Sequence, residues 1–138
     1  MINRATLVID LTKAVNSHFD QLRDQVPIFF EGQPRHTHNL DQYVEIKHFG
    51  PFLTEDNDRD LHLDYQLHLD CFVAQQNMYG IIELVDKFLH IALTPILVPE
   101  WEMCLNAIRW RILPKGQINI ERNLQATIIE VDFSVDLG

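Results

Sequence analysis

The chain has little of what most nucleophilic or phosphate-handling sites are made from. Five glycines are scattered over 138 residues, and they spell neither GxGxxG nor GxxxxGK[ST], so no phosphate cradle is encoded. Serine occurs only as Ser17 and Ser134, and neither sits in a GxSxG turn. The two cysteines, Cys71 and Cys104, form no CxxC pair. Both stand among apolar strand-like residues, which reads as buried thiols more than as a disulfide. No apolar run approaches the roughly 20 residues of a membrane span, and Met1-Ile2-Asn3-Arg4 passes at once into an amphipathic pattern without a signal-peptide layout. A soluble protein made in the cytoplasm is expected. Basic side chains are scarce too, 11 against 20 acidic ones, for a net charge of −9. That balance argues against gripping nucleic acid, which needs clustered Lys and Arg. It suits simple solubility, or a surface past which DNA must slide without sticking.

What is present is ordinary globular material. Apolar residues make up 46% and charged residues 22%, enough to bury a core in one domain spanning residues 1–138. Leu7, Leu11, Ala14 and His18 share a stripe that Val8, Val15, Phe19, Leu22 and Val26 extend at helical spacing, predicting a helix from Asn3 to Gln25 that Pro27 stops. Ile28-Phe29-Phe30 reads as a short strand, and Tyr43 to Phe49 as another that Gly50-Pro51 closes. Thr54 to Asp60 is strongly acidic and predicts an exposed loop or hairpin tip.

The clearest pattern follows. Leu61, Leu63, Tyr65, Leu67, Leu69, Cys71 and Val73 alternate with His62, Asp64, Gln66, His68, Asp70, Phe72 and Ala74. A period of two sustained this long exceeds the usual strand of about five or six residues, and it spans roughly 45 Å. Such a strand is expected to project beyond its own core or to bend at a bulge, with its apolar face under helices and its polar face toward solvent or a second subunit. Asn77 is placed to cap a second helix, whose buried side takes Ile81, Ile82, Leu84, Val85, Phe88, Leu89 and Ala92 and which Thr94-Pro95 ends. Ile96 to Pro99 is short and extended. Met103 to Leu113 reads as one strand, with Cys104, Ile108, Trp110 and Ile112 facing one way and Arg109 and Arg111 the other. Leu113-Pro114-Lys115-Gly116 has the residues of a type I turn. The return strand starts near Gln117 or is interrupted by Glu121-Arg122-Asn123, and Thr127, Ile129, Val131, Phe133 and Val135 form the last alternating run. The fold class that follows is α+β: a twisted, mainly antiparallel sheet with two helices packed on one face and a half-polar face opposite.

Chemistry is sparse. The seven histidines include an HxH at His36 and His38, while His62, Asp64, His68 and Asp70 share one strand face. Zinc needs three or four convergent ligands, and no HExxH or Cys/His spacing enforces them, so surface or structural roles are the favoured reading. A small metal-binding or metal-dependent domain on the His/Asp strand face stays open. The acids at Glu55, Asp56, Asp58 and Asp60 are too exposed to be held at a raised pKa. Arg109-Trp110-Arg111 with Lys115 reads first as a solvated strand face, then as a contact for an acidic protein. No enzyme activity and no cofactor is expected. Candidate partner or subunit contacts are His62, Asp64, Gln66, His68, Glu55, Asp56, Asp58, Asp60, Arg109 and Arg111.

The order of elements resembles that of the tail terminator (tail completion) proteins of long-tailed bacteriophages. The likeness lies in the leading helix ending at Val26-Pro27, the strand Tyr43-Val44-Glu45-Ile46 and the long strand from Leu61 to Val73. The helix from Tyr79 to Leu89 and the closing strand from Thr127 to Phe133 complete it. The resemblance implies a homo-oligomeric ring, usually of six subunits, that caps the tail tube and stops its growth. It also implies contacts with the tail tube protein and a neck or head connector protein, DNA passing through the lumen without specific binding, and a place in the virion after assembly in the host cytoplasm. Another neck or head–tail joining protein of similar build is the alternative within that class. In that setting the long strand is expected to offer an edge for pairing between subunits.

Overall fold

The computed structural model describes residues 4–31, 40–55, 60–74, 79–119 and 124–137. Two helices lie on one face of a five-stranded sheet with the order β1 (Ile28–Phe30), β2 (Gln42–Glu55), β3 (Leu61–Ala74), β7 (Leu124–Asp136), β6 (Ala107–Asn119). The α+β reading, with a mainly antiparallel sheet and both helices on one side, is what the chain forms.

Helix α1 (Arg4–Phe19) passes into a 3-10 turn (Asp20–Leu22), so the α-helix is shorter than its apolar stripe. Leu7, Leu11, Val15, Phe19, Leu22 and Val26 are the buried line. Val8, on the flank of the expected stripe, is exposed. Strand β1 (Ile28–Phe30) pairs in parallel with β2 (Gln42–Glu55), and every other pairing in this sheet is antiparallel. β2 does not stop at Gly50-Pro51. It continues to Glu55 through a register shift between Phe49 and Phe52. Gly50 adopts φ +108°, and a Cβ there would come 3.1 Å from the Asp64 carbonyl oxygen, so the Gly-Pro pair makes a bulge within the strand and not its end.

Strand β3 (Leu61–Ala74) has the expected bounds, and Leu63, Tyr65, Leu67, Leu69, Cys71 and Val73 are all buried. It is not an edge, however. β2 and β7 (Leu124–Asp136) flank it along nearly its whole length, so its length is absorbed by two equally long neighbours and not by projection. Helix α2 (Gly80–Leu93) buries Ile81, Leu84, Val85, Phe88 and Ala92. Ile82 is 64% exposed, against its expected place in the core. Phe19 and Phe88 stack at 6.0 Å and join the two helices. The helix begins after Tyr79 with no side-chain cap, and Asn77 lies outside the described residues.

The run from Met103 to Leu113 divides between two sheets. Strand β5 (Met103–Leu105) pairs with β4 (Ile96–Val98) in a small hairpin beside α1, closed by a 3-10 turn (Pro99–Trp101). Trp101 holds that hairpin to α1 by donating its indole N–H to Asp10 at 3.0 Å. Strand β6 (Ala107–Asn119) then enters the main sheet. Pro114-Lys115-Gly116 is again a bulge inside a strand, with Gly116 at φ +69°, and not a hairpin turn. Glu121-Arg122-Asn123 lies outside the described residues. Cys71 is buried as expected, whereas Cys104 is only half-buried.

The open sheet face and its two edges

The polar side chains of β3 share the face away from the helices with alternate residues of β2, β6 and β7. The register sets Lys47, His68, Glu130 and Arg111 in one row, and Phe49, Gln66, Asp132 and Arg109 in the next. Opposite charges therefore stand beside one another across the strands. Arg109 donates through Nε to Asp132 at 2.9 Å, and Arg111 through Nε to Glu130 at 3.1 Å. Gln66 donates its amide to the other Asp132 oxygen at 2.8 Å and accepts from His68 Nε2 at 2.7 Å. Phe49 covers the His68 ring, with centroids 4.2 Å apart. Partial burial alone would raise the Asp132 pKa. The hydrogen bonds from Gln66 and Arg109, with the charges of Arg109 and Arg111, outweigh that and hold the carboxyl below its ordinary value.

Toward β1 the same face is drier. Glu45 and Asp70 face each other across β2 and β3, and both are buried. Lys47 reaches Asp70 Oδ2 at 3.0 Å, while Asp70 Oδ1 is buried with no hydrogen-bond partner among the described residues. Tyr43 stacks on Phe72 at 4.6 Å and meets Phe29 edge-on.

The histidine and aspartate stripe lies on one face, as its period requires, but it does not converge. His62 Nδ1 lies 3.5 Å from Asp136, and Ser134 donates to Asp64 at 3.0 Å. Asp70 likewise turns across to Lys47, and His68 turns to Gln66 of its own strand. Among the described residues no group of three His, Cys, Asp or Glu side chains could hold a metal ion. His36, His38, Asp56 and Asp58 lie outside the described residues. Glu55 ends β2 and Asp60 precedes β3, and both are exposed.

The sequence did not disclose the two ends of the sheet. Among the described residues no strand covers the outer side of β6 or of β1. Ile108, Trp110 and Ile112 on β6 are 61%, 46% and 38% exposed. Trp110 and Ile112 face the helix side, opposite Val131 and Ile129, but α2 does not reach over them. Between α2 and β6 runs an open groove of about 440 Å³ lined by Ile82, Val85, Leu89, Ile112 and Pro114. On the other side, among the described residues, β1 pairs only with Val44 to Ile46 and no strand pairs with β2 there from Lys47 onward; Phe49 and Phe52 are exposed. The signal for this was in the sequence as Ile108-Arg109-Trp110-Arg111-Ile112, where bulky apolar and basic residues alternate, but alternation reports facing and not cover. No family model and no curated protein matches the chain.

Proposed function

We propose that this chain is a structural subunit that assembles with copies of itself into a ring, and that the ring caps a phage tail tube and joins it to the neck. The observation that carries the reading is the pair of sheet edges, at opposite ends of one sheet, that no strand covers among the described residues, with Ile108, Trp110 and Ile112 exposed beside one of them. A long open edge with apolar flanks is a template for strand addition. Two different edges on opposite sides favour head-to-tail contacts, which close into rings.

The rest of the molecule is consistent with that role. The open face is a lattice of paired charges, Arg109 with Asp132 and Arg111 with Glu130, and such a surface suits contact with another protein. A net charge of −9 would keep DNA phosphates mobile in a lumen. The element order supplies the link to tail terminators, with the tail tube protein and a connector protein as neighbours. Mass photometry of the purified protein over a wide concentration range, with reconstruction of the assembled particle, tests it. Rings of one defined size, seated at the end of the tube, are the expected result. A chain that is monomeric in solution and absent from the tube end overturns it.

A further inference from the structure

The two edges of the sheet differ in charge. From Met103 to Ile120 the sequence holds Arg109, Arg111 and Lys115 and no acid. Beside β1, among the described residues, four exposed charges are negative, Asp20, Asp24, Glu31 and Asp41, against Arg23, which lies 3.5 Å from Asp20 with its guanidinium 5.4 Å from the centre of the Phe30 ring. The β6 ladder is regular from Arg109 to Leu113, between the bulges at Ala107/Arg109 and Pro114/Gly116. That stretch is the edge fit to accept a strand, because a bulge twists an edge away from pairing.

We infer that β6 of one copy takes β1 of a second copy as an added antiparallel strand, with Trp110 opposite Phe30, Ile112 opposite Ile28 and Arg109 opposite Glu31. The inference rests on the ring reading and names the surfaces that make it.

Direction comes from the topology. β1 and β7 run with β2, while β3 and β6 run against it. A second copy in the same orientation therefore presents its β1 antiparallel to β6, which is the more stable ladder. The faces agree as well. Ile28 and Phe30 align with Val44 and Ile46 on the helix side, and Trp110 and Ile112 align with Val131 and Ile129 on that same side. Phe29 lies on the open face opposite Glu45, as Arg109 and Arg111 do opposite Asp132 and Glu130. Glu31 continues the β1 ladder, since its amide donates to the Ile46 carbonyl at 3.0 Å. The stated register keeps four pairs within the regular stretch. It sets aromatic and branched side chains against each other and an arginine against a glutamate.

The same charges reject the simplest competitor. A two-fold pairing of β6 with itself, centred on Arg109, Trp110 or Arg111, places an arginine opposite an arginine. Like charges directly opposed destabilise a ladder, so the contact is heterologous and propagates around an axis.

The test is a disulfide between copies. Within one subunit β1 and β6 stand four strand spacings apart, about 19 Å, beyond the roughly 7 Å between Cα atoms that a disulfide tolerates. A chain carrying Trp110→Cys and Phe30→Cys, with Cys104→Ser, should give a covalent ladder up to ring size under mild oxidation, and reductant should collapse it. Either single cysteine should stop at a dimer. Because Phe30 is half-buried, a charge pair gives a second readout. Arg109→Glu and Glu31→Arg should each abolish assembly, and together they should restore it. Rings that form without the ladder, or charge variants that fail to rescue each other, overturn this pairing and leave the ring reading standing. A chain that is monomeric at every concentration and absent from the tube end overturns both.

Discussion

One sheet, two faces: the side of β3 under the helices holds Leu63, Tyr65, Leu67 and Leu69, each buried, and the side away from them holds Asp64, Gln66, His68 and Asp70. The first side is held by removal of apolar surface from water, worth about 25 cal/mol per Å², and by close packing that leaves no slack. The second is held by cross-strand pairs of Arg109 with Asp132 and Arg111 with Glu130, each worth at most about 1 kcal/mol at an exposed site. Adjacent residues of one strand therefore carry very different shares of stability. The covered face fixes the fold, and the open face leaves the sheet free to meet something else.

The comparison breaks first at Leu67. Its side chain has no exposure, and Leu67→Ala should lower unfolding free energy by about 2–5 kcal/mol, the lost transfer energy plus a cavity. His68→Ala, the next residue, should cost less than about 1 kcal/mol, since it loses a hydrogen bond to Gln66 and cover from Phe49. Urea denaturation of the two variants measures both. Equal losses would mean that the open face is structural, and the contrast drawn between the faces would be wrong.

A second prediction concerns a polar cluster on the covered side. His48 lies between α1 and β3, with Nε2 2.9 Å from Asn16 Oδ1 and Nδ1 hydrogen-bonded to the Tyr65 hydroxyl. In the neutral form Nε2 donates to Asn16 and Nδ1 accepts from the Tyr65 hydroxyl. Tyr65→Phe leaves Nδ1 without that donor and should cost about 1–3 kcal/mol. Burial lowers the His48 pKa from its ordinary 6.5, with the Glu31 charge pulling weakly the other way. The unfolded chain therefore takes up this proton near 6.5 while the folded chain still resists it. The contribution is complete above 6.5 and is lost as pH falls through the lower, folded value. His48→Gln keeps a polar contact without titrating. Below about pH 6.5 the stability of the wild type should fall more steeply than that of the variant. Parallel curves would place His48 in water.

Much of this contrast was legible in the sequence. The alternation from Leu61 to Ala74 gave the bounds and facing of β3, because period two permits one register against a buried face. The apolar stripes at Leu7, Leu11, Val15 and at Leu84, Val85, Phe88 gave both helices. The strand order was not legible, since nothing local in Thr127 to Val135 says that it inserts between β3 and β6. The punctuation also misled. Gly50-Pro51 and Pro114-Lys115-Gly116 carry turn chemistry, but a positive-φ glycine serves a bulge as well as a turn. Ile108, Trp110 and Ile112 have the spacing of core residues, yet α2 covers only the middle of the sheet. The candidate contacts at Gln66, His68, Arg109 and Arg111 do meet, and their partners Glu130 and Asp132 were missed because their pairing depends on that unreadable order.

The smallest effect sharpens the comparison most. Arg111 is more than half exposed, while Glu130 beneath it is largely covered. Arg111→Ala removes two hydrogen bonds to Glu130 Oε2 and should cost the isolated subunit less than about 1 kcal/mol. Part of that cost should vanish in high salt, because solvent screens the exposed partner. If β6 is an interface, the same substitution should weaken assembly far more than it weakens the fold, since the guanidinium then packs against the Phe29 ring of the next copy. Thermal unfolding at low and high salt, set beside the oligomer fraction of the same samples, separates the two. A variant that loses stability and assembly in proportion would make Arg111 a brace of its own sheet and nothing more.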